Sequence, residues 1–132
     1  MRNELIARAN HAKETSYSPY SQFRVGAAVL TDDGTIFEGC NVENASYGLA
    51  ICAERNAIFQ AAHAGKRKIT AVAVTSDEKT FITPCGACRQ VIAEFADGST
   101  DIILSTKEGK SKIVKFEKIF PTPPKLEKLK KK

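Results

Sequence analysis

Three of the four cysteines in this 132-residue sequence lie where helices are predicted to begin, and this placement constrains the fold more than any other feature. Cys52 opens a helical pattern over 52–63, and Cys85 and Cys88 lie at the start of a second pattern over 86–95. A helix N-terminus favours the anionic thiolate. Because residues three apart share a helix face, the sulfur atoms of Cys85 and Cys88 can point at one ion.

Helical and strand patterns alternate along the rest of the chain. Strands that alternate with helices predict an α/β fold, with a mixed, partly parallel sheet covered by helices on both faces. Both central helices and their loops are long enough for the crossovers that parallel strands need. The other predicted elements are a helix over 4–15, strands over 23–30, 35–40, 69–75, 102–104 and 112–116, and a hairpin turn at 32–34.

Length and composition predict one globular domain. The chain is 42% hydrophobic and 27% charged, close to globular averages. No apolar run approaches about 18 residues, and the first ten residues lack the apolar block of a signal peptide. We therefore expect one domain over 1–120, a cytoplasmic location and no membrane partner.

The net charge of +5 comes mainly from the C-terminal end of the chain. Residues 125–132 hold five lysines and one glutamate, a net charge of +4. Such a run is typical of a solvated tail, and without interleaved aromatic residues it attracts nucleic acid only non-specifically. The sequence predicts a Pro/Lys-rich tail over 121–132 and no specific nucleic-acid partner.

The cysteines indicate metal binding or catalysis rather than disulfides in a reducing compartment. The Cys85-x-x-Cys88 unit alone fits a redox pair, half of a structural zinc site or a coincidence. If Cys52 joins it, zinc has three ligands and keeps one position for water, as catalytic sites do. Cys40 could close the site as a fourth ligand, but its place at the end of an apolar strand favours a buried free thiol.

Two charged residues directly after Cys52 suit a catalytic zinc site. The charges of three thiolates and one Zn²⁺ sum to −1, and this net negative charge disfavours ionisation of a bound water. Arg55 could donate hydrogen bonds to ligand sulfurs and offset that charge, or it could be a surface arginine. Glu54 could reach the open position and move protons, or it could only stabilise the helix N-terminus.

Several motifs together resemble a known family. Cys52-Ala53-Glu54 followed by Pro84-Cys85-Gly86-Ala87-Cys88 resembles the zinc nucleoside and nucleobase deaminases. Segments 17–28, 39–44, 52–55 and 84–90 are similar to the small homotetrameric cytidine deaminases, and the resemblance spans residues 4–120. It implies a three-layer α/β/α fold, a homotetramer, and one Zn²⁺ per subunit held by Cys52, Cys85 and Cys88.

The resemblance also implies a reaction and a set of site residues. The reaction is hydrolytic deamination of cytidine and deoxycytidine to uridine and deoxyuridine by zinc-activated water, a step of pyrimidine salvage. Glu54 matches the family's proton shuttle, and Asn41 and Glu43 match its ribose-binding pair. The substrate-binding residues implied are Phe23, which packs against the pyrimidine, Asn41, Glu43, and backbone groups near Ala53 and Thr83.

Two other functions remain open. The nearer one is a deaminase of the same fold that acts on a cytosine nucleoside antibiotic such as blasticidin S, although the ribose pair disfavours it. The more distant one is a non-catalytic zinc module that binds nucleic acid, which requires a site closed by four ligands, including Cys40.

The chain departs from the family pattern at its C-terminal end. The family places an aromatic residue after an apolar pair and a proline, and that residue reaches a neighbouring subunit's site. Here no aromatic follows 119–121. Either Phe116 or Phe120 replaces it, or that wall of the pocket is built differently. Structural packing is the expectation for the three tyrosines, Tyr17, Tyr20 and Tyr47.

Overall fold

A computed structural model describes residues 1–121, which form a five-stranded sheet with helices on both faces. The strands are β1 Val25–Thr31, β2 Ile36–Cys40, β3 Ile69–Ser76, β4 Asp101–Ser105 and β5 Ser111–Lys115. The sheet order is β2-β1-β3-β4-β5, and of these neighbouring pairs only β3 and β4 run parallel. The predicted α/β fold is thus confirmed, whereas residues 122–132 of the predicted tail lie outside the described part. The helices are α1 Arg2–Lys13, α2 Ala53–His63, α3 Gly86–Phe95 and α4 Phe116–Ile119, with a 3-10 turn at Tyr47–Leu49.

The alternation of side chains along β1 and β3 divides the core into two layers. Ala27 and Val29 point to the layer that α2 and α3 cover, whereas Ala28 points to the layer that α1 covers. In β3, Val72 and Val74 share the first layer. Successive strand residues point to opposite faces, so a strand buried on both faces has an almost continuous apolar sequence.

Two glycines in the β1–β2 hairpin let one helix approach each face of the sheet. A Cβ atom on Gly26 would lie 2.0 Å from the carbonyl oxygen of Ala9 in α1. A Cβ atom on Gly39 would lie 2.4 Å from the backbone nitrogen of Ala57 in α2. Any larger residue at either position would push a helix off the sheet. Gly39 therefore fixes the position of α2 on the sheet, and with it the position of the start of that helix.

Three loops meet at one edge of the sheet. Val25, which begins β1, pairs with Ser76, which ends β3, and Gly26 pairs with Cys40, which ends β2. The loops at 14–24, 41–52 and 77–85 therefore gather beside one another. This edge also carries the starts of α2 and α3, as expected for a ligand site in an α/β sheet.

The last predicted strand is one residue too long at its C-terminal end. Strand β5 ends at Lys115, and Phe116 begins α4, which the sequence analysis missed. A four-residue helix is too short to show helical periodicity. Phe116 is only 2% exposed, and its ring meets that of Phe120 edge-on with centroids 6.0 Å apart. Within residues 1–121, no helix has both the length and the apolar character needed to cross a membrane.

Candidate active site

Three sulfur atoms from two distant segments converge at this edge. The Sγ atoms of Cys52, Cys85 and Cys88 all lie within 4.8 Å of one another. The Cys52–Cys85 distance is 3.7 Å and the Cys85–Cys88 distance is 3.3 Å. Tetrahedral zinc with Zn–S bonds of about 2.3 Å places its sulfur ligands about 3.8 Å apart. The three cysteines therefore fit a zinc ion, and among the described residues no fourth His, Cys, Asp or Glu joins the group.

The starts of two helices bring these sulfurs together. Cys52 is the N-cap of α2 and Cys85 is the N-cap of α3, both in extended backbone conformation. The Cys85 sulfur accepts a hydrogen bond from the backbone N–H of Cys88 at 3.5 Å. Unpaired N–H groups and the helix dipole at both starts favour thiolates over thiols.

Arg55 lies beside the sulfur group, as the sequence predicts. Its Nη2 donates to the Cys52 sulfur at 3.6 Å and to the Ala50 carbonyl at 3.5 Å. Hydrogen bonds from the Cys88 thiol and from Arg55 lower the pKa of Cys52 to about 5. The hydrogen bond that Cys88 donates to Cys52, together with burial, raises the pKa of Cys88. Three thiols this close cannot all ionise unaided, and a divalent cation would offset their repulsion.

Glu54 is buried next to the sulfur group. It is the second residue of α2, and it is 5% exposed. Burial is the main cause that raises its pKa to about 7, and the nearby Cys52 thiolate adds to the increase. A carboxyl group with a pKa near neutral both accepts and releases protons readily.

A cavity of about 210 Å³ opens beside Glu54. It brings together Glu54, two sulfur ligands and four of the five predicted substrate-binding residues. Its lining combines apolar walls with few polar groups, which is typical of small-molecule sites. The lining residues are Phe23, Val25, Asn41, Cys52, Ala53, Glu54, Val74, Ile82, Thr83 and Cys85.

The Asn41 amide is held in one orientation by the backbone of the preceding loop. Its Oδ1 accepts hydrogen bonds from the N–H of Val25 at 2.9 Å and from the Ser16 hydroxyl. Its Nδ2 donates to the Phe23 carbonyl at 2.8 Å. Among the contacts of residues 1–121, one Nδ2 hydrogen is left for a ligand. Asn41 therefore braces the segment that carries Phe23, and it also lines the cavity.

Glu43, the other predicted ribose ligand, lies in a second cavity. Its carboxylate accepts hydrogen bonds from the backbone N–H groups of Tyr20 and Ser21 at 3.0 and 3.2 Å, and from the Ser21 hydroxyl. The Ser21 hydroxyl is the largest cause of the lowered pKa of Glu43. The second cavity measures about 470 Å³ and is lined by Tyr20, Ser21, Glu43, Asn44, Ala45, Tyr47 and Ala50.

Two expectations about side-chain burial are wrong. Cys40 is half-buried rather than buried, and its thiol donates to the Thr15 carbonyl at 3.4 Å. The tyrosines lie in loops at the sheet edge, where the core cannot cover them. Their exposed fractions are 55% for Tyr17, 62% for Tyr20 and 95% for Tyr47.

The C-terminal aromatic residues do not complete the cavity of their own chain. Phe116 belongs to the core, and Phe120 is half-buried against it. Neither lines the cavity beside Glu54 of its own chain. Because the family's aromatic residue reaches a neighbouring subunit's site, both alternatives, a replacement by Phe116 or Phe120 and a differently built wall, stay predictions.

Sequence reasoning missed the two hydroxyl groups that hold the predicted ribose pair. Ser16 donates to Asn41, and Ser21 donates to Glu43. Both serines flank the segment 17–20, whose proline gave only the signal of a helix stop. Short polar side chains in such segments usually form hydrogen bonds with groups close to them in the chain. The partners of Ser16 and Ser21, by contrast, lie 22–25 residues away in the chain.

Three cysteines that fit a zinc ion, beside a buried carboxylate and an open cavity, match a catalytic type of zinc site better than a closed structural one. The family model described as "Cytidine and deoxycytidylate deaminase zinc-binding region" matches residues 1–104. The chain belongs to this family, as the motif resemblance implied.

Individual proteins show the same likeness. A cytidine deaminase from Sporosarcina psychrophila is 48% identical over 118 residues, covering 89% of this chain and 87% of the relative. The crystal structure of cytidine deaminase from Burkholderia pseudomallei superposes with a TM-score of 0.90 at 44% identity, covering 94% of this chain and 99% of that one. The crystal structure of cytidine deaminase from Mycobacterium tuberculosis gives a TM-score of 0.80 at 36% identity, covering 94% and 97%.

Proposed function

We propose that this chain is a zinc-dependent cytidine deaminase, which hydrolyses cytidine and deoxycytidine to uridine and deoxyuridine and serves pyrimidine salvage. Cys52, Cys85 and Cys88 would hold the zinc. The observation that carries the proposal is the buried carboxylate of Glu54, which lies beside three converging sulfurs and lines the same cavity as Phe23 and Asn41.

The residues around the cavity account for the steps of the reaction. Zinc in this site would supply a Lewis acid that makes water a nucleophile near neutral pH. Glu54 would take a proton from the attacking water and deliver it to the ring nitrogen beside the amino-bearing carbon. It would then take the proton of the newly added hydroxyl group and carry it to the departing amino group as the carbon–nitrogen bond breaks, so that ammonia leaves and the product carbonyl forms. Arg55 would offset the negative charge of the three thiolates through its hydrogen bond to Cys52.

The other end of the substrate would meet groups that suit a sugar hydroxyl. Asn41 offers a hydrogen-bond donor and Glu43 offers a charged acceptor, and a hydroxyl group both donates and accepts. Among the described lining residues of the two cavities none is a cation. A nucleoside therefore fits better than a nucleotide, since a phosphate near Glu43 would be repelled.

The test compares five substrates by the absorbance change of the pyrimidine ring. We expect turnover of cytidine and deoxycytidine, with much slower turnover of cytosine, deoxycytidine monophosphate and blasticidin S. Strong activity on blasticidin S with weak activity on cytidine would contradict the proposal and support the antibiotic deaminase. The absence of turnover in zinc-loaded protein would favour a non-catalytic zinc module.

We also propose that the chain assembles as a homotetramer in the cytoplasm. Large apolar side chains are exposed on the monomer, including Tyr47, Leu49 and Phe59. A tetramer interface would cover such residues. The cysteines Cys40, Cys52, Cys85 and Cys88 are all free thiols, which a reducing compartment preserves. Light scattering coupled to gel filtration measures the assembly: a mass near 58 kDa, four times 14.4 kDa, is expected, and a monomeric mass would contradict it.

A further inference from the structure

Arg89 makes three hydrogen bonds that join two separate parts of the chain. Its Nε donates to the Pro84 carbonyl at 2.8 Å, and its Nη2 donates to the Thr83 hydroxyl at 3.2 Å. Its Nη1 donates to the carbonyl of Ile119 at 2.8 Å. Only the planar guanidinium group reaches three acceptors at fixed angles, because an ammonium group is a compact point donor.

Two of these acceptors belong to the segment directly before α3, which forms part of the cavity wall through Thr83. Thr83 lines the cavity, and Cys85 is a proposed zinc ligand one residue after Pro84. Because Arg89 holds both the Thr83 side chain and the Pro84 carbonyl, the backbone between them cannot rotate without breaking a hydrogen bond. The position of this wall is thus set from within α3.

The third acceptor belongs to the short C-terminal helix. The last carbonyls of a helix lack partners inside it, and a basic side chain is a common partner for them. Ile119 is the last residue of α4, and Arg89 supplies that partner. The backbone near the cavity and the end of α4 are therefore tied to the same side chain.

We propose that Arg89 is a positioning residue, which couples the order of the loop at Thr83–Pro84 to the docking of α4 and so sets the geometry of the cavity. This inference rests on the proposed deaminase activity for its kinetic consequence. Its structural part, the coupling of two segments, stands apart from that activity.

The kinetic test uses Arg89→Ala, with Arg67→Ala as a matched control. Arg67 also donates to a backbone carbonyl, that of Ala62, and lines neither of the two cavities. We expect Arg89→Ala to keep its zinc and to lose about 10- to 100-fold in kcat/KM for cytidine, since small displacements of positioned groups cost this much. Millimolar guanidinium chloride should restore part of the loss, and sodium chloride at equal ionic strength should not. Unchanged kcat/KM, or a loss that guanidinium leaves untouched, would overturn the positioning role.

A second measurement decides the coupling if Arg89→Ala does not fold. Hydrogen exchange of Arg89→Lys, compared with the wild type, should become faster at 83–85 and at 116–120 together, while α1 stays unchanged. Faster exchange in only one of the two segments, or in neither, would overturn the coupling. A wild type that fails to deaminate cytidine would contradict the proposed function, and the exchange result would still decide the coupling.

Discussion

The two ends of the proposed substrate site are built in different ways. At the reacting end, Cys52, Glu54 and Cys85 come from the first turns of two helices that lie on the sheet. At the sugar end, Asn41 and Glu43 come from a loop, and their side chains are held by a second loop through hydrogen bonds. The helices at the reacting end are held by packing against the core, whereas the side chains at the sugar end are held by these hydrogen bonds.

This difference predicts how substitutions will act. A change at the reacting end should remove zinc or proton transfer and leave the fold intact. A change at the sugar end should alter both substrate binding and the stability of the loops, because the same side chains serve both purposes.

The largest effect is expected from Cys85→Ala. The change removes one of three ligands from a group whose sulfurs lie within 4.8 Å, and zinc held by two ligands is bound weakly. We expect loss of zinc by elemental analysis and loss of measurable turnover. Cys40→Ala is the matched control. Because Cys40 lies outside the sulfur group, this variant should keep both its zinc and its turnover. Zinc-free protein that still deaminates cytidine would contradict the metal's role.

Glu54→Gln should give the next largest effect. The amide keeps the size of the buried side chain but cannot move protons, so kcat should fall by about 10²- to 10⁴-fold. Zinc content and the unfolding temperature should stay near those of the wild type, as in the control Glu4→Gln on the exposed face of α1. A variant with near-normal kcat would show that another group carries the protons.

The fold and the reacting end could largely be predicted from the sequence. The strand alternation of 69–75 and the helical spacing of 52–63 and 86–95 are local patterns, and the proposed zinc ligands lie at the boundaries of those helices. Cys-x-Glu and Cys-x-x-Cys are also local, so their chemistry is visible without tertiary structure. The sequence around Gly39, by contrast, gave no signal of the close contact between Gly39 and Ala57.

The sugar end could be predicted only through the family resemblance. The amide of Asn41 braces the backbone at Phe23 and Val25, which lies 16–18 residues away in the chain. No periodicity encodes such contacts. The same reason explains why the exposure of Tyr47 within a single chain was not predicted, because loop residues follow no burial pattern that sequence spacing reveals.

Asn41→Ala should affect both binding and stability. It leaves the Phe23 carbonyl and the Val25 N–H without their partner, which costs about 1–3 kcal/mol in the free energy of unfolding. We expect a lower denaturant midpoint and a kcat/KM for cytidine lowered by about 10- to 100-fold. Asn3→Ala, on the exposed face of α1, is the control. Weaker binding with unchanged stability would show that the amide serves the ligand alone and would remove the contrast between the two ends.

The smallest effect is expected from Glu43→Gln, which keeps an acceptor oxygen but removes the charge. KM for cytidine should rise by about tenfold with kcat nearly unchanged, since a hydrogen bond to a charged group is worth more than one to a neutral group.

The pKa of Glu43 is lowered from 4.5 by the Ser21 hydroxyl. In the wild type this carboxylate therefore stays charged at neutral pH, and its contribution should be lost only as the pH falls below 4.5. The ratio of variant to wild-type KM should accordingly be constant from pH 6 to pH 8 and shrink toward one only in acid. A ratio that already shrinks between pH 8 and pH 6 would place the titrating group elsewhere, and an unchanged KM would remove Glu43 from the sugar end altogether.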